Sequence, residues 1–225
     1  MKPLPTWVLR WGLHAGWLAA VGFVLALTWL GGDQVAYRAA LHPLGHLGAL
    51  QTAGAWLLNL CGYVLPGVLL FGFVLALEIT LQRDAPSRMG RIATGILMLS
   101  ALAFAAQGLL PFDLEDIDAR ASQHHVVALG WALIGAVAGA CLLAISLIRQ
   151  RPWRSLVIPG SLLALALLAL LLWPAQDWLP ALRGRPGHAQ RLVFALYFAW
   201  FALASRVALR NLLQIRSSPW HRTGR

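Results

Sequence analysis

His42 and His46 stand four residues apart in HPLGHLGALQTAGAW, residues 42–56. That spacing puts two side chains on one helical face and suits two ligands of one metal ion. A second stretch, LLPFDLEDIDARASQHHVV, residues 109–127, gathers Asp113, Glu115, Asp116 and Asp118 and then the adjacent pair His124 and His125. A third, GRPGHAQRLVFALYFAW, residues 184–200, sets His188, Gln190 and Arg191 at the start of an apolar run. Imidazoles with one carboxylate can hold zinc and turn its bound water into a nucleophile. A guanidinium beside amide and imidazole donors can instead hold a phosphate.

Each residue also has an ordinary reading. Pro43 suits the first turn of a helix, with His42 near its cap. Paired histidines at this spacing also occur at wet interfaces without a metal. Glu115, Asp116 and Asp118 read as solvated loop residues, whereas Asp113 adjoins a helix end and the bundle. Neighbouring helical residues point about 100° apart, so only one of His124 and His125 faces the interior, and the sequence leaves open which. Ser122 is a candidate cap for that helix. Arg191, in the first turn of the last helix, opposes the macrodipole and calls for compensation. Asp113 is the expected partner and a lipid phosphate the other candidate, with snorkelling to the interface as the plain alternative.

The elements that position these residues follow from composition. The 225 residues are 59% hydrophobic and 12% charged, with 11 tryptophans and a mean hydropathy of +0.68. A soluble domain carries about a quarter charged residues. Several apolar runs reach the ~20 residues needed to cross the hydrocarbon. They must be helices, because lipid cannot satisfy open backbone groups and the alternation of barrel strands is absent. The expected fold is all-α: one polytopic membrane domain of six transmembrane helices, roughly 9–30, 53–81, 92–110, 124–148, 155–173 and 189–209. Short connections make sequence neighbours antiparallel neighbours. Arg10, Trp11 and His14 near the start of the first run mark it as a retained helix rather than a leader. Cys61 and Cys141 lie within spans and read as packing residues.

Lys2 and Arg10, the arginines of the second and fourth connections, and the C-terminal arginines hold most of the 18 basic residues. By the positive-inside rule both termini are cytoplasmic, in a bacterial inner membrane. The net charge of +10 therefore calls for no nucleic acid and suits anionic headgroups. The opposite face collects Asp33, Asp113, Glu115, Asp116, Asp118 and Asp177, with His42, His46, His124, His125 and His188. Between the faces, Glu78 is expected to pair with an arginine. His14, Asn59 and Gln107 are expected to make hydrogen bonds between helices.

The three motifs in order resemble one family. HPLGHLGALQTAGAWLLNLCGYVLPGVLLFGFVLAL looks like its H-P-[IL]-S-[DE]-L-G segment and following span, AAQGLLPFD with SQHH like its G-x-F-P-x-D…H pattern, and GHAQRL like its G-[LH]-x-Q-R-L helix start. The family is the bacterial and archaeal six-helix membrane proteins catalogued as domain of unknown function 998, distantly similar to the Frag/DRAM/Sfk group. The resemblance covers about residues 35–210 and marks His42, Asp113, His124 or His125, Gln190 and Arg191. Gly45 and His46 depart from it, standing where serine and an acid are usual.

Two functions follow as expectations. In the first, a non-enzymatic membrane protein binds lipid headgroups through Arg191, Gln190 and His188. In the second, an intramembrane lipid hydrolase uses zinc held by His42, His46, Asp113, His124 and His125. Both expect Asp113, one of the paired histidines, His42 and Arg191 in a single outer cavity. A haem or quinone protein fits poorly, because the histidines crowd at one rim, and transport lacks a carboxylate pair near the midplane.

Overall fold

Six long helices cross the molecule in the computed structural model, which describes residues 5–32 and 37–217. They are α1 (Thr6–Gly32), α2 (Ala55–Asp84), α3 (Arg88–Leu109), α4 (Arg120–Leu147), α5 (Arg154–Leu172) and α6 (Pro186–Ser217). All six are long and apolar enough to span a bilayer. Lys2, Asp33, Arg222 and Arg225 fall outside the described residues.

Each helix packs on its sequence neighbours, and α6 packs on α1, so the bundle is a closed ring. Small residues set the approach distances. A Cβ on Gly67 of α2 would lie 2.6 Å from the Ala105 nitrogen of α3, and one on Gly139 of α4 would meet Leu97 of α3 at 2.6 Å. The middle of the ring is filled by aromatic rings. Phe23 stacks on Phe198 at 4.6 Å between centroids, and Phe104 stacks on Tyr197 at 5.3 Å. Exposed Leu, Ile and Val side chains form the outer belt, and Trp7, Trp11, Trp29, Trp56 and Trp173 lie exposed near helix ends, where indoles anchor at membrane interfaces.

The helices start and stop for local reasons. Ser87 caps α3 by accepting from Gly90 N–H at 3.1 Å, which starts that helix four residues earlier than hydropathy suggests. Helix α4 also begins four residues before the expected 124, with Ala119 rather than Ser122 at its cap, because hydropathy cannot register a polar first turn. Helix α2 widens to a π-helix over Asn59–Val64, immediately before Pro66. A π turn leaves backbone carbonyls without their usual partners, and a proline downstream removes a donor.

Connections 33–54, 110–119 and 173–185 share one end, the long-loop end; 85–87 and 148–153 share the other, the short-loop end. At the short-loop end Glu78 does pair with Arg91, at 3.9 Å, and it accepts from the Thr94 hydroxyl. His14 is bonded within its own helix, accepting at Nδ1 from Trp17 Nε1 at 2.8 Å, rather than between helices as expected.

Candidate functional site

Built from the residues upward, the long-loop end is a plug held by two sets of staples. Residues Leu44–Gly48 form a short 3-10 helix whose N-cap is Pro43. Leu44, Leu47 and Ala49 are fully or nearly fully buried, so this segment dips into the mouth of the bundle. A turn this short leaves polar backbone groups that the helices must satisfy. Gly48 O accepts from Asn59 Nδ2 at 2.9 Å, from the π segment of α2. Leu44 N–H donates to Gln190 Oε1 of α6 at 2.6 Å.

His42 and His46 share a face, as their spacing requires, with rings stacked at 5.2 Å and an interplanar angle of 15°. His42 Nδ1 accepts from Arg38 N–H at 3.1 Å, so its neutral form carries the proton on Nε2. His46 stacks in turn on Phe112 at 6.3 Å. Burial, and then the neighbouring His42, hold the His46 imidazole below its ordinary pKa.

His125 is the inward member of the adjacent pair. It is 6% exposed, and its Nδ1 faces the carbonyls of Leu110 at 2.8 Å and Gln107 at 3.2 Å. Two acceptors require Nδ1 to carry the proton, which leaves Nε2 as an acceptor turned toward Gly45. A Cβ on Gly45 would sit 3.5 Å from that nitrogen. His124 is exposed on the outer side and lines a groove between α3 and α4 with Trp131.

Asp113 is occupied by loop construction. Its Oδ1 accepts from Gln51 Nε2 at 2.5 Å, Glu115 N–H at 3.0 Å and Asp116 N–H at 3.3 Å. Those donors, the Gln51 amide foremost, hold its carboxyl below the usual carboxylate range. Gln51 Oε1 accepts from Leu114 N–H at 3.0 Å, and Ser122 Oγ accepts from Asp113 N–H at 3.0 Å. The group ties connection 33–54 to connection 110–119.

Arg191 does not pair with Asp113, contrary to expectation; among the described residues the ion pairs are Arg83–Asp84 and Arg91–Glu78. Its Nη1 donates to Ala39 O at 2.6 Å and Gly187 O at 2.9 Å, and its Nη2 donates to the Tyr37 hydroxyl at 2.6 Å. Backbone carbonyls and a phenol thus compensate the cation. Its position is the second turn of α6, which begins at Pro186. Gly187 adds N–H to Ala40 O at 3.0 Å, and a Cβ there would be 2.4 Å from Ala39 O. Gly187, Gln190 and Arg191 therefore clamp residues 37–44 onto α6. His188 is half-buried beside them.

The expected single cavity does not form. His42 and His46 lie on the plug, His125 under it, Asp113 in a loop staple and His124 on the outer side. Among the described residues, no three His, Cys, Asp or Glu side chains are grouped so as to hold a metal ion. The donor set expected for zinc is not gathered among the described residues.

Arg191 instead heads a different cavity. A cleft of about 650 Å³ runs between α1 and α6, walled by Phe23, Leu27, Phe194 and Phe198 and bordered at the long-loop end by Tyr37 and Arg191. The guanidinium has five N–H groups and spends three on the clamp, so two, Nε–H among them, are left to an acceptor at the cleft mouth. Tyr37, Gln51 and the cleft itself were not singled out in the sequence. The cleft had a signal, since Arg191, Ala195, Phe198 and Ala202 recur on one face of α6 at steps of three and four.

No curated protein and no solved structure matches the chain. A family model does match, over residues 15–207, and it covers all six spans in whole or in part. With its six membrane-spanning helices and the plug between them, the chain belongs to the family described as protein of unknown function (DUF998).

Proposed function

We propose that this protein binds a phospholipid in the cleft between α1 and α6, with its acyl chain against Phe23, Phe194 and Phe198 and its phosphate at Arg191. One observation carries the reading: an apolar cleft of ligand size ends at a cation that has spare donors and no carboxylate partner among the described residues. Gln190 Oε1 is occupied by Leu44 N–H in the neighbouring clamp, and His188 stands half-buried beside it. The protein is a multi-pass resident of a bacterial inner membrane. The arginine-rich short-loop end faces the cytoplasm, so the bound headgroup lies on the outer side.

The test is lipid mass spectrometry on protein purified in mild detergent. Ala195→Trp fills the cleft from an exposed wall position without touching the clamp. It is expected to remove the co-purifying phospholipid while leaving the melting temperature within a few degrees of wild type. Arg191→Ala is expected to remove the lipid and also to lower the melting temperature, because it breaks the clamp. Unchanged lipid in Ala195→Trp would defeat the proposal.

A further inference from the structure

The cleft continues beyond the first site. Ala202 borders the upper cleft and also a second cavity of about 770 Å³ at the short-loop end of the same α1–α6 seam. His14 and Trp17 of α1 and Arg206, Leu209 and Arg210 of α6 line this lower half. Arg206 and Arg210 are exposed and four residues apart, so they share a face one turn apart. Neither has an ion-pair partner among the described residues, where the carboxylates of this end are committed to Arg83 and Arg91. His14 Nδ1 is already accepting from Trp17, so in the neutral ring the proton is on Nε2, which is a donor. Two guanidiniums and an imidazole N–H thus surround a groove whose remaining walls are Trp17, Ala202, Leu209 and Leu213, with Gln214 at its end.

Depth agrees with this arrangement. At 1.5 Å per residue, Arg206 lies about 22 Å and Arg210 about 28 Å along α6 from Arg191. The hydrocarbon of a bilayer is ~30 Å thick, so with Arg191 at one headgroup level Arg210 reaches the other, and Arg206 lies one turn inside it, within reach of the interface along its own side chain. A free phosphate would leave the apolar walls unused, whereas a diacyl phosphate would cover them.

We infer that the lower half of the seam is a second site, specific for an anionic phospholipid, whose phosphate is held by Arg206 and Arg210. One lipid from each leaflet then lies along the same seam, and their chain ends meet near Ala202. Anionic character is required because the two cations there have no other counter-charge among the described residues, and charge-assisted bonds to phosphate are the strong ones.

The inference extends the proposed function, and the two can fail separately. Native mass spectrometry would be run on the full chain in mild detergent with phosphatidylglycerol, phosphatidylcholine or inorganic phosphate added. Wild type is expected to carry two phosphatidylglycerol molecules, with phosphatidylcholine at most one. The double variant Arg206→Gln/Arg210→Gln is expected to carry one, with affinity for the second reduced about tenfold, the equivalent of one charge-assisted hydrogen bond. Should that double variant misfold, Leu209→Trp fills the same groove and is expected to give the same loss. Ala195→Trp is expected to remove the other lipid and spare this one. Two lipids retained in both lower-site variants would overturn the inference and leave the first site standing. So would equal loading by phosphatidylcholine, or displacement of the second lipid by millimolar inorganic phosphate. A single lipid lost in Arg206→Gln/Arg210→Gln and indifferent to Ala195→Trp would sink the first site alone.

Discussion

Burial in the plug penalises a protonated His46, and the stacked His42 ring adds to that, which is why its neutral form is favoured in the folded chain. The sign of the pH effect follows. Below the ordinary histidine pKa of about 6.5 the unfolded chain takes up a proton that the folded chain refuses, so stability falls with falling pH and is flat above neutrality. Protection factors of the amides over residues 44–50, with the base-catalysed intrinsic rate divided out, are expected to fall between pH 7.5 and 5.5, and His46→Gln to flatten that dependence. Asp113 has the same sign in a more acid window: its stabilised carboxylate supports the loop staple above the ordinary carboxylate range, and that support is lost as pH falls through the lowered value. Asp113→Ala is expected to raise exchange over residues 113–119 without altering bound lipid, because its partners are Gln51 and two loop amides. A carboxylate beside histidines suggests chemistry in a sequence. Of the hydrogen bonds that commit it elsewhere, the foremost comes from Gln51, far away in the chain, and no local pattern announces that one.

At the scale of elements, helix positions were legible because a run of some twenty apolar residues has few other fates in lipid. Their ends were less so: Ser87 and Arg120 extend helices through polar turns that hydropathy counts as loop. The plug was invisible, since Leu44 and Leu47 look like ordinary loop hydrophobes until the π turn of α2 opens a place for them. Gly48 is where that fit is tightest. A Cβ there would lie 2.2 Å from Asn59 Oδ1, so Gly48→Ala must displace the amide that bonds Gly48 O. Overpacking with loss of that bond is expected to cost about 1–3 kcal/mol, read as a lowered melting temperature in detergent. Gly72→Ala is the control: a Cβ there meets nothing within 4 Å, and alanine is expected to stabilise α2 by up to about 1 kcal/mol.

Over the whole molecule, α6 closes the ring by packing on α1, so the walls of the seam come from the two ends of the chain. The walls also differ in kind from the α2–α3 contact. Between α2 and α3, Gly67 brings backbones into direct contact, while between α1 and α6 two cavities of several hundred Å³ interrupt the interface. This gives the seam a place in the history of each molecule. At synthesis rates of roughly 5–20 residues per second, α6 emerges about ten to thirty seconds after α1. Throughout that interval the inner face of α1 is coated by whatever lipid surrounds it. The last helix therefore arrives at a surface already wetted, and a lipid that fits is in place from the start, in a seam whose exposed walls leave it open to exchange with the bilayer afterwards.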